Sequence, residues 1–442
     1  MVRRPGLGRG RDDRGVMADA VMPPEKTWFG QPRGLTILFL TNMWEQFSYF
    51  GMRALLMYYM TKELLLGQGH ASLVYGAYTA CAYFTPIIGG VVADRLLGKR
   101  RAVIIGASIM AAGHFMMTFE PLLYVALATI ALGNGLFLPS LPSQINDLYA
   151  SGDPRRGWAY NVYYVGINIG GFLAPLLCGT IGEIYGWHYG FGLAGIGMLA
   201  GLVIYLAGQQ YLPAPATPVI VAGERPASAI NGRATALTLA AVALCVVIFR
   251  GAYEQAGNTL ALWVDQGVDR SVGHFVIPMT WFQSLNPVIV ILFTPALLAW
   301  WKRRAAAGHD QSPARRMALG SAIVAIAFVM LAGVASAAGA GHAGWIWLVL
   351  FFLIYTVGEL HILPSGLGLF ARLAPPRLGA TTVAAWYLTI FAGSLSAGFV
   401  GTLWSTMTPA AYFLLLAALA GIAAALLRSL DPAVRRMDPV GT

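Results

Sequence analysis

Residues 72–118 read SLVYGAYTACAYFTPIIGGVVADRLLGKRRAVIIGASIMAAGHFMMT. Two apolar runs, 72–93 and 102–118, are parted by a short segment that holds Arg95, Lys99, Arg100 and Arg101. A run of about 20 apolar residues is what a helix needs to cross the hydrocarbon core of a bilayer. A basic loop between two such runs keeps their shared end on one side. The stretch therefore reads as a helical hairpin in a membrane, and the rest of the chain repeats it. Cutting at the charge clusters leaves twelve apolar windows, near 35–60, 72–93, 102–118, 122–148, 157–182, 187–211, 234–263, 274–301, 317–338, 344–371, 379–404 and 409–428. Composition agrees: only 11% of the 442 residues are charged, 57% are apolar, and the mean hydropathy is +0.64. A soluble domain averages roughly 25% charged residues, so a soluble enzyme is excluded, and the apolar, aromatic composition equally excludes a disordered chain. The expected fold class is an all-α integral membrane protein.

Assigning alternate loops to opposite sides puts 25 of the 29 Lys and Arg on the side that carries both termini. They lie in the first 34 residues, the Arg95 to Arg101 loop, Arg155 and Arg156, Arg225 and Arg233, the run from Lys302 to Arg316, Arg372 and Arg377, and the end of the chain. Only Lys62 and Arg270 fall on the other side, while Arg53 and Arg250 lie inside spans. Such a bias places both termini in the cytoplasm and the chain, as a multi-pass protein, in the plasma (inner) membrane. It also explains the pI of about 9.6 without nucleic acid, whose binders gather basic residues on one groove or face. The first 34 residues hold seven basic residues and no apolar core, the mark of a polar tail rather than a cleavable signal peptide. The expected layout is a tail over 1–34, a six-helix bundle over 35–211, a cytoplasmic linker over 212–233, a second bundle over 234–428 and a tail over 429–442. Cys81, Cys178 and Cys245 sit singly in apolar spans and read as packing residues.

An internal repeat sharpens this layout. Leu138-Pro139-Ser140 in the fourth span recurs as Leu363-Pro364-Ser365 in the tenth, and at the same offset Asn134 meets Glu359. Gly157, Tyr164 and Gly171 of the fifth span match Gly379, Trp386 and Gly393 of the eleventh. Spans n and n+6 thus correspond, as in transporters built from two parallel six-helix halves with the substrate site between them near the midplane. That is the layout of the major facilitator class. The run from Gly89 to Arg101 resembles that superfamily's signature between helices two and three: its glycines allow close helix approach, and its basic residues hold the cytoplasmic gate.

Charges left inside the membrane are the next filter, because each costs about 2.5–3.5 kcal/mol even on the mildest scale. Deep within spans stand only Glu45, Arg53, Arg250, Glu254 and Glu359, with Asp147 at a cytoplasmic end. Distributed over spans one, seven and ten, these five point to a central polar cavity. Arg250 and Glu254 are four residues apart, hence on one helical face and able to pair. His114 and His361, the histidines deep within spans, have no nucleophile or metal-ligand spacing around them. Neither an enzyme nor a cofactor or metal site is expected.

Around these charges the sequence resembles the proton-dependent oligopeptide transporter family. Asn42-Met43-Trp44-Glu45-Gln46-Phe47-Ser48-Tyr49-Phe50-Gly51-Met52-Arg53 is similar to that family's Glu-x-x-Glu-Arg-Phe-x-Tyr-Tyr signature with its trailing Gly-Met-Arg. Gly152-Asp153-Pro154-Arg155-Arg156, leading to Tyr163-Tyr164-Val165-Gly166-Ile167-Asn168-Ile169-Gly170, resembles the second signature. Glu254-Gln255-Ala256-Gly257, Trp281-Phe282-Gln283-Ser284-Leu285-Asn286-Pro287 and Gly358-Glu359-Leu360 continuing to Pro364-Ser365-Gly366-Leu367 extend the likeness to about Gly34–Trp404. The resemblance implies that Asn168, Asn286 and Glu359 hold a peptide's amino terminus, which suits an ammonium's need for acceptors and one opposite charge. It implies that Arg53 offers a planar fork to a substrate carboxylate or closes the periplasmic gate on Glu254. Tyr49, Tyr78, Tyr164 and Trp386 are expected to line side-chain pockets.

Three departures stand out. Asn42 replaces the family's first Glu, Gln46 its Arg, and Leu138 its helix-four Lys. Those groups, with the retained Glu45, form the family's proton-responsive cluster, and losing one alone would strand buried charge at about 3–5 kcal/mol. Their joint loss reads as a coordinated redesign. Arg250 stands where the family usually has a Trp and is a new partner for Glu254 or Glu45. The two-helix insert of bacterial relatives is also missing between spans six and seven. The expectation is a monomeric secondary transporter of di- or tripeptides or peptide-like compounds, with lipid bilayer, small peptide substrate and protons as partners. Proton coupling would be non-standard or absent, with Glu45, Arg53, Arg250, Glu254 and Glu359 as its candidate groups. The alternatives are a carrier of a modified peptide, amino-acid conjugate or other small metabolite, and a non-transporting sensor on the same scaffold.

Overall fold

The computed structural model describes residues 27–150, 153–213, 232–308, 311–373 and 379–437. Most of the expected amino-terminal tail, nearly all of the linker with Arg225, Arg377, and the last five residues of the chain lie outside them. Twelve long helices account for the twelve windows: α1 (Arg33–Tyr58), α2 (Gln68–Val92), α3 (Lys99–Met116), α4 (Leu123–Asp147), α5 (Arg155–Ala174), α6 (Trp187–Gly208), α7 (Gly232–Tyr253), α8 (Leu285–Ala306), α9 (Pro313–Ala338), α10 (Ile346–Arg372), α11 (Gly379–Thr402) and α12 (Pro409–Met437). Helix is the form that satisfies every backbone donor and acceptor within one segment, which hydrocarbon demands. Ten of the twelve carry a stretch long and apolar enough to cross a membrane on length and composition alone. The exceptions are α1, interrupted by Asn42, Glu45, Gln46 and Arg53, and α3, which opens on Lys99, Arg100 and Arg101. The stretch between α6 and α7 is too short in sequence to hold two further spans.

The packing pattern carries the repeat into three dimensions. In the first half α1 packs on α5 and α6, α3 on α4 and α6, and α2 on α4. In the second, α7 packs on α11 and α12, α9 on α10 and α12, and α8 on α10. Each first-half contact becomes a second-half contact when six is added to both helix numbers. The halves themselves meet through α2 with α11 and α5 with α8, which are also equivalent under that shift. This is the all-α major facilitator architecture of two six-helix halves. Leu132, Val203 and Ile326 are among the large apolar side chains left mostly exposed, as a lipid-facing surface requires.

Small residues set the closest approaches. A Cβ on Gly89 of α2 would run into the Gly135 carbonyl of α4, and Gly106 of α3 meets Gly133 of α4 in the same way. Three features depart from a plain reading of hydropathy. α7 does not continue straight: a 3-10 turn over Glu254–Gly257 leads to Asn258 at φ −107°, ψ −95°, and a short helix, Thr259–Gln266, follows. Short strands stand at the extramembrane ends, Val268–Asp269 beside Ala343–Gly344, and Ser271–Val272 beside Phe275–Val276. And α12 runs nine residues beyond the last apolar window. Asp431, buried near its end, accepts from Ser312 ahead of α9 and pairs with Arg428 at 3.3 Å and Arg435 at 3.0 Å. Polar contacts rather than hydropathy hold that last stretch.

At the end of the molecule away from α1's start and α12's finish, the two halves are tied together. Lys62 pairs with Asp265 at 2.7 Å, Gln68 donates to the Gly401 carbonyl at 2.9 Å, and Ser72 donates to Asn258 at 2.9 Å. Glu183, beyond α5, accepts from the backbone N–H groups of Met279 (3.0 Å) and Thr280 (2.9 Å) ahead of α8. That end is sealed. Replacing Gly89 by Val is expected to force α2 from α4 and cost about 1–3 kcal/mol through overpacking, lowering the melting temperature in detergent by several degrees. Gly157→Ala, where nothing lies within 4 Å, should leave it unchanged.

Candidate functional site

Between the halves lies a cavity of about 360 Å³, lined from α1, α2, α4, α5, α7, α8 and α10. Four of the five intramembrane charges in the lining face it from α1 and α7 (Glu45, Arg53, Arg250, Glu254), and the fifth, Glu359, from α10. The cavity has two poles.

One pole is built of acceptors. The Asn286 side-chain amide on α8 donates to Glu359 at 2.5 Å and to Thr356 at 3.0 Å. Tyr253 lines the cavity with Glu359. Asn168 on α5 donates to the Tyr164 carbonyl one turn back at 2.9 Å. With both amide N–H groups engaged by the protein, the carbonyl oxygens of Asn168 and Asn286 remain as acceptors beside the Glu359 carboxyl. The set is suited to a cation with several N–H donors. It is drawn from both halves, so a ligand here touches both.

The other pole is cationic. The Arg53 guanidinium donates to the Tyr75 hydroxyl at 2.6 Å and pairs with Glu254 across the two halves. Arg250 pairs with the same Glu254 one helical turn away, donates to Ser394 of α11 at 3.1 Å, and lies over the rings of Tyr83 and Tyr253. Arg250 and Glu254 are each 2% exposed, whereas Arg53 keeps 17%. Of the alternatives open in the sequence, Arg250 therefore takes Glu254 and not Glu45. Two guanidiniums share one carboxylate.

Among the described residues no cation pairs with Glu45, which accepts from the Gln46 side-chain amide at 2.7 Å. Leu138 presents an apolar wall to the same cavity, and Asn42 turns away to donate to the Tyr163 carbonyl at 3.2 Å, joining α1 to α5. The altered positions thus leave Glu45 in a third region that is otherwise uncharged and partly apolar.

Six of the eight expected substrate-contacting residues line the cavity: Tyr49, Arg53, Tyr164, Asn168, Asn286 and Glu359. Tyr78 and Trp386 do not. Tyr78 is buried behind Tyr49, with ring centroids 6.5 Å apart, and Trp386 packs on Phe370 at 5.3 Å and covers Gly366. Residue type marks an aromatic position but not the rotation of its helix. Sequence reasoning passed over Tyr83, Asn134, Gln283, Tyr253, Phe352 and Tyr355, all in the lining. Two of these carried a signal: Tyr355 stands one turn before Glu359 on one helical face, and Asn134 is the repeat counterpart of Glu359. Tyr253 and Tyr355 stack with centroids 5.2 Å apart and planes within 7°.

A family model described as the POT family (PTR2) matches residues 100–217 and 214–415. The chain is 30% identical to the uncharacterized transporter YclF of Bacillus subtilis (strain 168), covering 93% of this chain and 96% of that one. It is also 30% identical to a di-/tripeptide transporter of Lactococcus lactis subsp. cremoris, over 82% of this chain and 88% of the relative. Among solved structures, a peptide transporter POT in complex with sulfate matches with TM-score 0.86 at 30% identity, covering 94% of this chain and 97% of that one. A POT family transporter in complex with 5-aminolevulinic acid reaches TM-score 0.85 at 23% identity, a likeness of fold. Matched by the family model over most of its length and by relatives along nearly all of it, this multi-pass membrane protein belongs to the POT family.

Proposed function

We propose that the chain is a secondary transporter of di- and tripeptides and peptide-like compounds, working by alternating access in the plasma (inner) membrane with both termini in the cytoplasm. The observation that carries this reading is a single cavity between two halves with an acceptor pole at Asn168, Asn286 and Glu359 and a guanidinium pole at Arg53. A peptide in its zwitterionic form has the complementary ends. Relatives named as di-/tripeptide transporters support the substrate class, and the distribution of Lys and Arg supports the orientation. In that orientation the end at which Lys62 and Asp265 tie the halves together is the outer one. Pro139 and Pro364, equivalent residues within α4 and α10, supply bending points for the inner gate.

A second reading has its own support. Leu138 gives the cavity an apolar wall, and Arg53 is already engaged by Glu254 and Tyr75. A modified peptide or amino-acid conjugate without a free carboxyl end meets less competition there.

Three measurements test these readings. Proteoliposomes are expected to take up labelled dialanine saturably, with competition from di- and tripeptides and not from free alanine; accumulation only under an inward proton gradient would identify a coupled carrier, and plain equilibration an uncoupled one. A coupled proton has three carboxyls to ride on, Glu45, Glu254 and Glu359. In detergent, dialanine at one hundred times its Kd should stabilise the protein by about 2.7 kcal/mol, an effect lost in Glu359→Gln. Equal stabilisation by the C-terminally amidated dipeptide would favour the second reading. Finally, in a background without native cysteines, His274→Cys should react with a membrane-impermeant maleimide in intact cells and Arg156→Cys only after permeabilisation.

A further inference from the structure

The proposed function leaves Arg250 without a role, although it is among the largest fully buried side chains and lines the transport cavity. Its surroundings are made for it. Its stem occupies the space that a Cβ on Gly393 would fill, its guanidinium donates to Ser394, and the Tyr83 and Tyr253 rings flank it at 5.3 and 5.6 Å. Its charge goes to one oxygen of Glu254 while Arg53 takes the other. These two ion pairs differ in kind. Arg250 stands on the last turn of α7 and Glu254 on the 3-10 turn that directly continues it, four residues on, whereas Arg53 comes from α1 in the opposite half.

Opening the outer end requires α1 and α7 to part, and parting breaks only the pair that crosses between halves. If Glu254 had Arg53 alone, it would be left as a bare buried carboxylate, and a proton would be the simplest way to discharge it. With Arg250 moving alongside, Glu254 remains paired. The uncompensated group is then Arg53, a cation that keeps the Tyr75 hydroxyl and faces the cavity. A cation in that position is discharged by an anion. The other titratable groups around Glu254 are Tyr49 from α1, Tyr75 and Tyr83 from α2, Tyr253 beside it, and Tyr355 and Glu359 from α10. None replaces Arg250 as its cation, and Glu359 is engaged by Asn286.

We infer that Arg250 is a resident counter-ion that converts the outer gate, Arg53 with Glu254, from one released by a proton to one released by the anionic end of the cargo. The cargo's carboxylate takes Arg53 while Arg250 keeps Glu254 neutralised. Arg250 is thus a positioning residue, acting through Glu254. The inference rests on the peptide-transport reading for the identity of the anion, but not for the electrostatics of the gate.

Spin labels at Glu63→Cys and Ser405→Cys, exposed sites at the outer ends of the two halves, report gate opening with and without cargo. In the protein freed of its native cysteines and otherwise unaltered, the opened population should rise when dialanine is added and stay level as pH falls. Arg250→Gln should instead open on acidification without cargo, with its opened-to-closed ratio falling about tenfold per pH unit on the alkaline side, as one required proton dictates. Arg250→Lys should restore the parent behaviour, and Glu254→Gln added to Arg250→Gln should abolish the pH response. Size-exclusion profiles in detergent establish that each variant is folded. An Arg250→Gln variant with the parent's flat profile, or a parent that opens on acidification in a Glu254-dependent manner, would overturn the inference. An acid response in Arg250→Gln with no response of the parent to dialanine would uphold the counter-ion role and sink the peptide assignment, so the two failures are distinct.

Discussion

Ionised side chains are costly in a bilayer, and the centre of this molecule is organised by how one carboxylate, Glu254, offsets that cost for two guanidiniums. Arg53 and Arg250 each use one of its oxygens. Stripping a buried ion of its partner costs about 3–5 kcal/mol, so this shared carboxylate fixes where α1, α7 and α11 sit around the cavity. The break in α7 begins at the same residue: the 3-10 turn runs from Glu254 to Gly257 and leads to Asn258, whose side chain accepts from Ser72 of the other half. Irregular backbone of this kind persists at membrane depth only where protein buries it or where it lines a cavity. Here it does both.

The remaining charges show the opposite treatment. Glu359 accepts from Asn286 and lines the cavity with the side-chain amides of Asn168 and Asn286. Glu45 retains one amide contact and an apolar neighbour in Leu138. The three regions are chemically distinct although they share one cavity. In the proposed function, a ligand with an ammonium end and an anionic end would span the first two. The third sets how much apolar bulk lies between or beside them.

The twofold repeat explains why the site can move. Every principal helix contact in one half has its counterpart in the other, and the halves meet through two equivalent helix pairs. Rocking one half on the other preserves the packing within each and exchanges the contacts between them. At the tied end the halves meet through polar contacts, Lys62 with Asp265, Glu183 with the backbone before α8 and Arg53 with Glu254, and through apolar ones, Tyr58 in the second half's core and Leu262 in the first half's. Polar contacts with short reach can be broken and remade without separating an apolar core, which for close-packed interiors is a costly change.

Much of this was written along the chain. Hydropathy and the basic loops determine the number of spans, their order and the two halves, because a bilayer imposes one length and one periodicity on every crossing segment. The loss of Glu, Arg and Lys at Asn42, Gln46 and Leu138 is equally a property of the sequence. What linear order could not supply was helix rotation and pairing. Tyr78 and Tyr49 are alike in sequence, yet only Tyr49 faces the cavity, since a few tens of degrees about a helix axis decide the matter. Asp431 looks like part of a tail until Ser312, more than a hundred residues earlier, is brought against it. Arg250 had two carboxylates within its plausible reach, and only the packing of α7 against α11 turned it to Glu254. The sequence by itself determined how many charges enter the membrane; the tertiary structure decided which of them neutralise one another, because ion pairing depends on separations in space that span positions on opposite halves of the chain.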